Sequence, residues 1–194
     1  MKLVIASNNQ KKRHEIETIL GALNIEFIPA DQTVFVDVVE DADSFAGNAR
    51  KKAESFAAAN HAPALADDSG LCVEAVAGAP GVYSSRYAGA DADDADNNAK
   101  LLFQLEGEEN RRAHFACALH VAFPDNREGI TAYGQVDGTI LTQSSGHAGF
   151  GYDPLFFCPE LGKSFAEATA GEKASVSHRG RALRILAERL ADFA

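Results

Sequence analysis

The chain has 194 residues, 46% hydrophobic and 24% charged, the composition of a globular protein long enough for a well-buried core and expected to fold as one domain over 1–194. Its 18 lysines and arginines stand against 28 aspartates and glutamates, and the formal charge of -10 argues against a nucleic-acid duplex or an anionic membrane as partner. Any anionic ligand must therefore be gripped by a local cluster of cations.

Met1-Lys2 leads into an apolar run of four residues, too short for a signal peptide, and no stretch approaches membrane-spanning length. Cys72, Cys117 and Cys158 are odd in number, widely spaced and set among apolar residues, so they read as reduced core thiols of a cytoplasmic protein. Leu3 to Ala6 forms a short strand, Ser7-Asn8-Asn9 a loop, and Ile16, Ile19, Leu20 and Leu23 a helical stripe. A loop that leaves a strand and opens a helix offers free backbone N–H groups and the positive helix end to phosphate. Lys11, Lys12 and Arg13 crowd that first turn with positive charge, against the macrodipole, so an anion there would relieve a conflict. Lys11 reads as solvated.

Ile25 to Ala30 reads as a second strand and Val34 to Val39 as another extended piece ending at Glu40-Asp41. Asp43-Ser44 offers an N-cap to a helix with Phe45, Ala49, Ala53, Phe56 and Ala57 on one face and Arg50, Lys51 and Lys52 midway along it. In the apolar run Ala64 to Val73, two adjacent carboxylates, Asp67 and Asp68, interrupt what is otherwise buried strand. Ser69-Gly70 directly after them predicts a turn that holds a carboxylate at a sheet edge. An unpaired buried carboxylate is expensive, which leaves a metal, a cation or a turn-capping role as compensation.

Gly78 to Gly81 reads as a tight loop, Ser84 to Tyr87 as extended, and Asp91 to Asp96 as the solvated start of a helix through Ala99, Leu102 and Phe103, without the glycine and distal glutamate of a calcium loop. Ala113 to Phe123 and Ile130 to Leu141 form a hairpin across Pro124-Asp125-Asn126-Arg127. Three glycines between Ser144 and Pro154 mark a loop that lets backbone approach a ligand, and Leu155-Phe156-Phe157 resumes a strand. Glu172-Lys173 and Ser177 to Gly180 precede a last helix with Leu183, Leu186, Ala187 and Leu190 on one face.

Several common motifs fail. Gly162-Lys163-Ser164 resembles the end of a P-loop, but Phe157 stands where the first glycine is required. The six histidines lack metal-ligand spacing and there is no C-x-x-C pair, which argues against zinc. A serine nucleophile elbow would need glycine at Asp67. Asp68-Ser69-Gly70 does resemble the D-S-G of aspartic proteases, whose two carboxylates share a proton. A protease has no need of lysines and arginines near glycine loops, whereas a triphosphate site does.

Taken together, Ser7-x-Asn9-x-x-Lys12, Phe45-x-x-Asn48-Ala49-x-x-Lys52-Ala53, Ala66 to Leu71, Gly78 to Gly81, Ser85-Arg86-Tyr87, Gly149 to Pro154 and Ser177 to Gly180 resemble the inosine triphosphate pyrophosphatase family, the Ham1-like or RdgB-like noncanonical purine NTP diphosphatases. The match spans nearly the whole chain in unbroken order. Gly47 departs from it, since many relatives carry glutamate there. The resemblance implies an α/β (mixed α+β) fold, a central mixed β-sheet flanked by helices in two lobes with the active-site cleft between them, and a homodimer. It also implies hydrolysis of ITP, dITP or XTP to the monophosphate and pyrophosphate with Mg2+, a nucleotide-binding sensor on the same fold being the non-enzymatic alternative. By family analogy Glu40 and Asp68 hold the metal and Asp68 is the proton acceptor; Asp67 either shares the metal or braces the turn, the second reading being preferred. Ser7, Asn8, Asn9, Lys12, Lys52 and Ser69 would contact the triphosphate. Phe150, Gly151, Tyr152, Asp153, Lys173, His178 and Arg179 would form the nucleobase side, with a ring to stack on the purine and donors for its 6-oxygen.

Overall fold

Alternation along short strands decides which helix packs where. A computed structural model describes residues 1–21, 25–125 and 127–191, so Leu23 of the first helical stripe and Asn126 of the hairpin turn lie outside the described residues. Seven strands form a mixed sheet in the order β2-β1-β3-β4-β5-β6-β7: β1 (Lys2–Ile5), β2 (Glu26–Phe27), β3 (Ala64–Val73), β4 (Arg112–Ala122), β5 (Ile130–Ile140), β6 (Phe156–Cys158) and β7 (Lys163–Ser164). β1 pairs parallel with β2 and β3, whereas β5, β6 and β7 pair antiparallel. Among the described residues five α-helices accompany them: α1 (Gln10–Leu20), α2 (Phe45–Asn60), α3 (Asp94–Gln104), α4 (Ala170–Val176) and α5 (His178–Ala191).

The chain divides into two compact units. One comprises Met1–Asp68, Cys117–Gly134 and the chain from Arg179 on; the other comprises Ser69–Ala116 and Gln135–His178. In the first unit, odd-numbered Leu3, Ile5 and Leu65 share a core with Ile16 and Leu20 of α1 and Leu183, Leu186 and Leu190 of α5. Even-numbered Val4, Ala6, Ala64 and Ala66 pack with Ala53, Phe56 and Ala57 of α2. Successive strand residues point to opposite faces, so one period-2 pattern assigns α1 and α5 to one face and α2 to the other. The second unit has its own core, with Leu71 and Val73 of β3, Leu101 of α3 and the aromatic group Phe115, Phe156 and Phe165.

Four local expectations are corrected. The chain does not turn at Ser69-Gly70, nor is Asp68 at a sheet edge: β3 runs unbroken through them between β1 and β4. Ser84 to Arg86 belongs to a 3-10 helix (Gly81–Arg86) rather than an extended segment. The second strand is only Glu26–Phe27, and Val34 to Val39 is not one of the seven strands; the Asn60 amide instead bonds Val34 N and O. α4 is an additional helix before α5.

Candidate functional site

Because β3 is continuous through Asp67 and Asp68, the two side chains leave it on opposite faces and acquire different surroundings. Asp67, on the α1 and α5 side, is 1% exposed. Its Oδ2 accepts from Arg179 Nε at 3.1 Å and Nη2 at 2.9 Å, and Lys12 Nζ lies 3.3 Å away. Burial alone pushes this carboxyl up, but Lys12, Arg179 and Lys52 outweigh it and hold it well below the usual carboxylate range. Arg179 is itself 1% exposed and donates through Nη1 to Glu15 at 2.6 Å, so its charge is fully matched within the unit. Beneath this group the Cys117 thiol is pushed up to about 12, by burial first and then by Asp67. It is a core thiol, not a nucleophile.

Asp68, on the α2 side, has the opposite balance. Burial pushes its carboxyl up to about 6, ahead of the lowering effects of Lys52 and of the Asn48 hydrogen bond. Asn48 Nδ2 donates to Oδ2 at 3.0 Å, and Lys52 Nζ stands 4.0 Å from Oδ1 and 3.1 Å from Glu40 Oε1. Two carboxylates therefore converge on one ammonium. α2 can present Asn48 and Lys52 together because residues four apart share a helix face. The expected N-cap is there too, with Ser44 Oγ accepting from Gly47 N.

The loop after β1 is built by its own side chains. Asn9 caps α1, accepting from Lys11 N at 3.0 Å and Lys12 N at 3.2 Å, and its backbone N–H donates to Ser7 Oγ. Asn8 and Asn9 are exposed and Ser7 half-buried. Arg13, expected with Lys11 and Lys12 to charge the first turn, instead turns inward and donates to the Ile5 carbonyl at 2.8 Å, which closes the loop onto β1. Ser7, Asn8, Asn9, Lys12, Glu40, Lys52, Asp67, Asp68 and Arg179 all belong to this first unit, where the Arg179 side chain is engaged by Asp67 and Glu15.

Ser69, Phe150, Gly151, Tyr152, Asp153, Lys173 and His178 belong to the second unit. Asp153 is its hub: Oδ2 accepts from Phe150 N at 2.8 Å and Lys173 Nζ at 2.6 Å. A Cβ at Gly149 would collide with that carboxylate, which together with its φ of 78° explains a glycine there. The Lys173 ammonium lies 4.6 Å from the centre of the Phe150 ring and covers one of its faces. Tyr152 is buried with its hydroxyl donating to the Ser84 carbonyl, and His178 stacks on Phe115 at 4.7 Å. The Gly151 peptide is gripped on both sides, its N–H donating to Asp94 Oδ2 and its carbonyl accepting from Asn98 Nδ2. Sequence reasoning missed both, having read the acidic stretch as solvated.

This sheet and this set of residues define a member of the Ham1 family: its family model matches residues 3–189, and the chain belongs to that family. It is 47% identical over 187 residues to a protein named dITP/XTP pyrophosphatase from Desulforamulus reducens, covering 95% of this chain and 92% of the relative. Among solved structures it resembles the Staphylococcus aureus Ham1 protein, with TM-score 0.90 and 38% identity over 100% of both chains. A HAM1 protein from Coxiella burnetii is similar at TM-score 0.91 and 38% identity over 99% of both.

Proposed function

We propose that this chain is a nucleoside-triphosphate diphosphatase that hydrolyses dITP, XTP and ITP to the monophosphate and pyrophosphate. The observation that carries the reading is Asp68, a buried carboxylate raised to about 6 beside the matched cation Lys52 in a family whose relatives are named for this reaction. A base working near neutral pH is best served by such a group, whereas an ordinary aspartate is too weak a base. Asp68 would take the proton from the attacking water. Lys12 and Lys52, each held by a buried carboxylate, would exchange part of that pairing for phosphate oxygens, with Ser7, Asn8, Asn9 and Ser69 as hydrogen-bonding partners. Phe150, with Gly151, Tyr152, Asp153, Lys173 and His178, would receive the purine, its ring stacking on the base. Arg179 is better read as the anchor of Asp67 than as a donor to the base.

Mg2+ fits the residues present. Glu40 and Asp68 already converge on a cation, the Lys52 ammonium, and hard Mg2+ is usually held by one or two carboxylates plus phosphate oxygens and water. When bound, it would supply charge neutralisation at the triphosphate and acidify water. The surroundings of Asp68 weigh against the D-S-G protease alternative, since within this chain its oxygens face an amide and an ammonium. We extend the reading to a cytoplasmic homodimer, the dimer resting on the family resemblance and the compartment on three free cysteines. Pyrophosphate release from dITP, assayed with and without Mg2+, tests it: metal-dependent release is expected, and dITP binding without release would make the chain a sensor.

A further inference from the structure

We propose that Asn48, to which the residue pattern assigns no role of its own, is a positioning residue that fixes the Asp68 carboxylate by one oxygen and ties it to the segment carrying Glu40. The proposal rests on the reading of Asp68 as base. Asn48 is 0% exposed, at the fourth position of α2. Its Nδ2 donates to Asp68 Oδ2 at 3.0 Å, and its Oδ1 accepts from Ala42 N at 3.0 Å, two residues beyond Glu40.

The chemistry of the two partners selects the amide. Ala42 N–H can only donate and an ionised carboxylate can only accept, so the bridge needs one acceptor and one donor on a short stem. An aspartate here would repel Asp68, and an alanine would leave a buried carboxylate oxygen and a backbone N–H without this link. Lys52, one turn further along the same face, addresses the other oxygen, Oδ1. The two oxygens therefore have different neighbours: Oδ2 accepts from Asn48, and Oδ1 is the one turned toward the Lys52 ammonium. Gly47 supports the bridge from the side, because a Cβ there would stand 2.7 Å from that of Ala42. The position where the resemblance expects glutamate is what lets the Glu40 segment lie close against α2 in this chain.

The test is a double-mutant cycle on dITP hydrolysis with Asn48→Ala, Asp68→Asn and the combined variant, each checked for folding by circular dichroism. Asn48→Ala is expected to lower kcat roughly 10- to 100-fold with KM changed less than about threefold, as for loss of a hydrogen bond that orients a charged group. In the Asp68→Asn background it should change the residual rate by less than about twofold, since it acts only through that carboxylate. A wild-type kcat in Asn48→Ala, or the same fractional loss in both backgrounds, overturns the positioning role while leaving the base assignment standing. Wild-type turnover in Asp68→Asn overturns the base assignment and the proposal with it. Should Asn48→Ala fail to fold, Ala42→Pro removes the N–H at the far end of the bridge without touching Asn48 or Asp68, while also fixing φ at position 42. It is expected to lower kcat several-fold at unchanged KM, and an unaltered kcat there overturns the proposal.

Discussion

Asp67 and Asp68 are chain neighbours, both buried, and are driven in opposite directions: Asp67 is held well below the ordinary carboxylate range while Asp68 is raised to about 6. The cause is the pleat of β3, which sends one carboxylate toward Lys12 and Arg179 and the other toward Asn48 and Lys52. Asp67 carries a permanent negative charge as an anchor, and Asp68 can exchange a proton near neutrality. Environments that push two carboxylates apart in this way assign their roles.

Asp68→Asn should therefore separate activity from stability. Loss of the base is expected to lower kcat for dITP by about 100-fold to 10,000-fold. A folded-state value raised above the ordinary 3.8 means that the folded chain holds this proton more tightly than the unfolded one. The cost to stability is absent below about pH 4, grows as pH rises, and is complete above about 6. Raising a carboxyl from 3.8 to about 6 corresponds to about 3 kcal/mol, so at pH 8 the asparagine variant should melt higher than wild type, with the difference vanishing near pH 4. Equal Tm values at pH 8 would show that Asp68 does not bear this strain.

The pH profile follows from the same group. As the base must be ionised, kcat/KM is expected to fall as pH drops through about 6 rather than through the ordinary aspartate range. Measurement between pH 5 and 9 at the lowest Mg2+ that supports turnover checks it, because metal held on the same carboxylate would move its titration down, and a rate still flat at pH 5 under those conditions would place the titrating base elsewhere.

Lys12 and Lys52 are each only slightly exposed, with side chains 19% and 13% accessible, so a phosphate that meets them loses little to solvent screening. Replacing either by alanine should weaken nucleoside triphosphates by roughly 1.5–3 kcal/mol and the free nucleoside hardly at all. Calorimetric titration with both ligands distinguishes the cases, and equal weakening would remove these lysines from the phosphates.

Arg179 is expected to matter for folding first. Truncation to alanine leaves the Asp67 carboxylate buried without its two-bond partner, a change that costs about 3–5 kcal/mol in comparable buried pairs. Its guanidinium is already engaged by Asp67 and Glu15, so the ratio of kcat/KM for dITP over dATP should be unchanged in Arg179→Ala even as Tm falls. A collapsed ratio at unaltered Tm would return Arg179 to the nucleobase side.

What the residues revealed in advance was what burial periodicity controls. β4, β5 and the buried stripes of α1, α2 and α5 fall where alternation and helical spacing put them. Turn chemistry misled at Ser69-Gly70, because a strand buried between two neighbours overrides a local preference for turning. α4 is too short for a convincing stripe, yet Thr169-x-x-Glu172 is a capping box that marks its start and could have revealed it. The candidate site was legible as residue types but not as partnerships. That Arg179 reaches Asp67 across 112 positions, or Asp94 reaches Gly151 across 57, is fixed by the fold and leaves no local trace.

Lys173 and Asp153 offer the sharpest separation of scaffold from recognition. Both are nearly fully buried, and their 2.6 Å ion pair ties α4 to the loop that carries Phe150. Lys173→Met keeps the aliphatic stem but strands the Asp153 carboxylate, so stability should drop by about 3–5 kcal/mol. Adding Asp153→Asn removes the stranded charge while its side-chain oxygen still accepts from Phe150 N, and much of the lost Tm should return. Recognition should not return with it. The ammonium over the Phe150 ring polarises the surface on which the purine would stack, so KM for dITP should stay elevated in the double variant while kcat recovers. If restoring Tm also restores KM, the pair is scaffold alone and Lys173 has no part in holding the base.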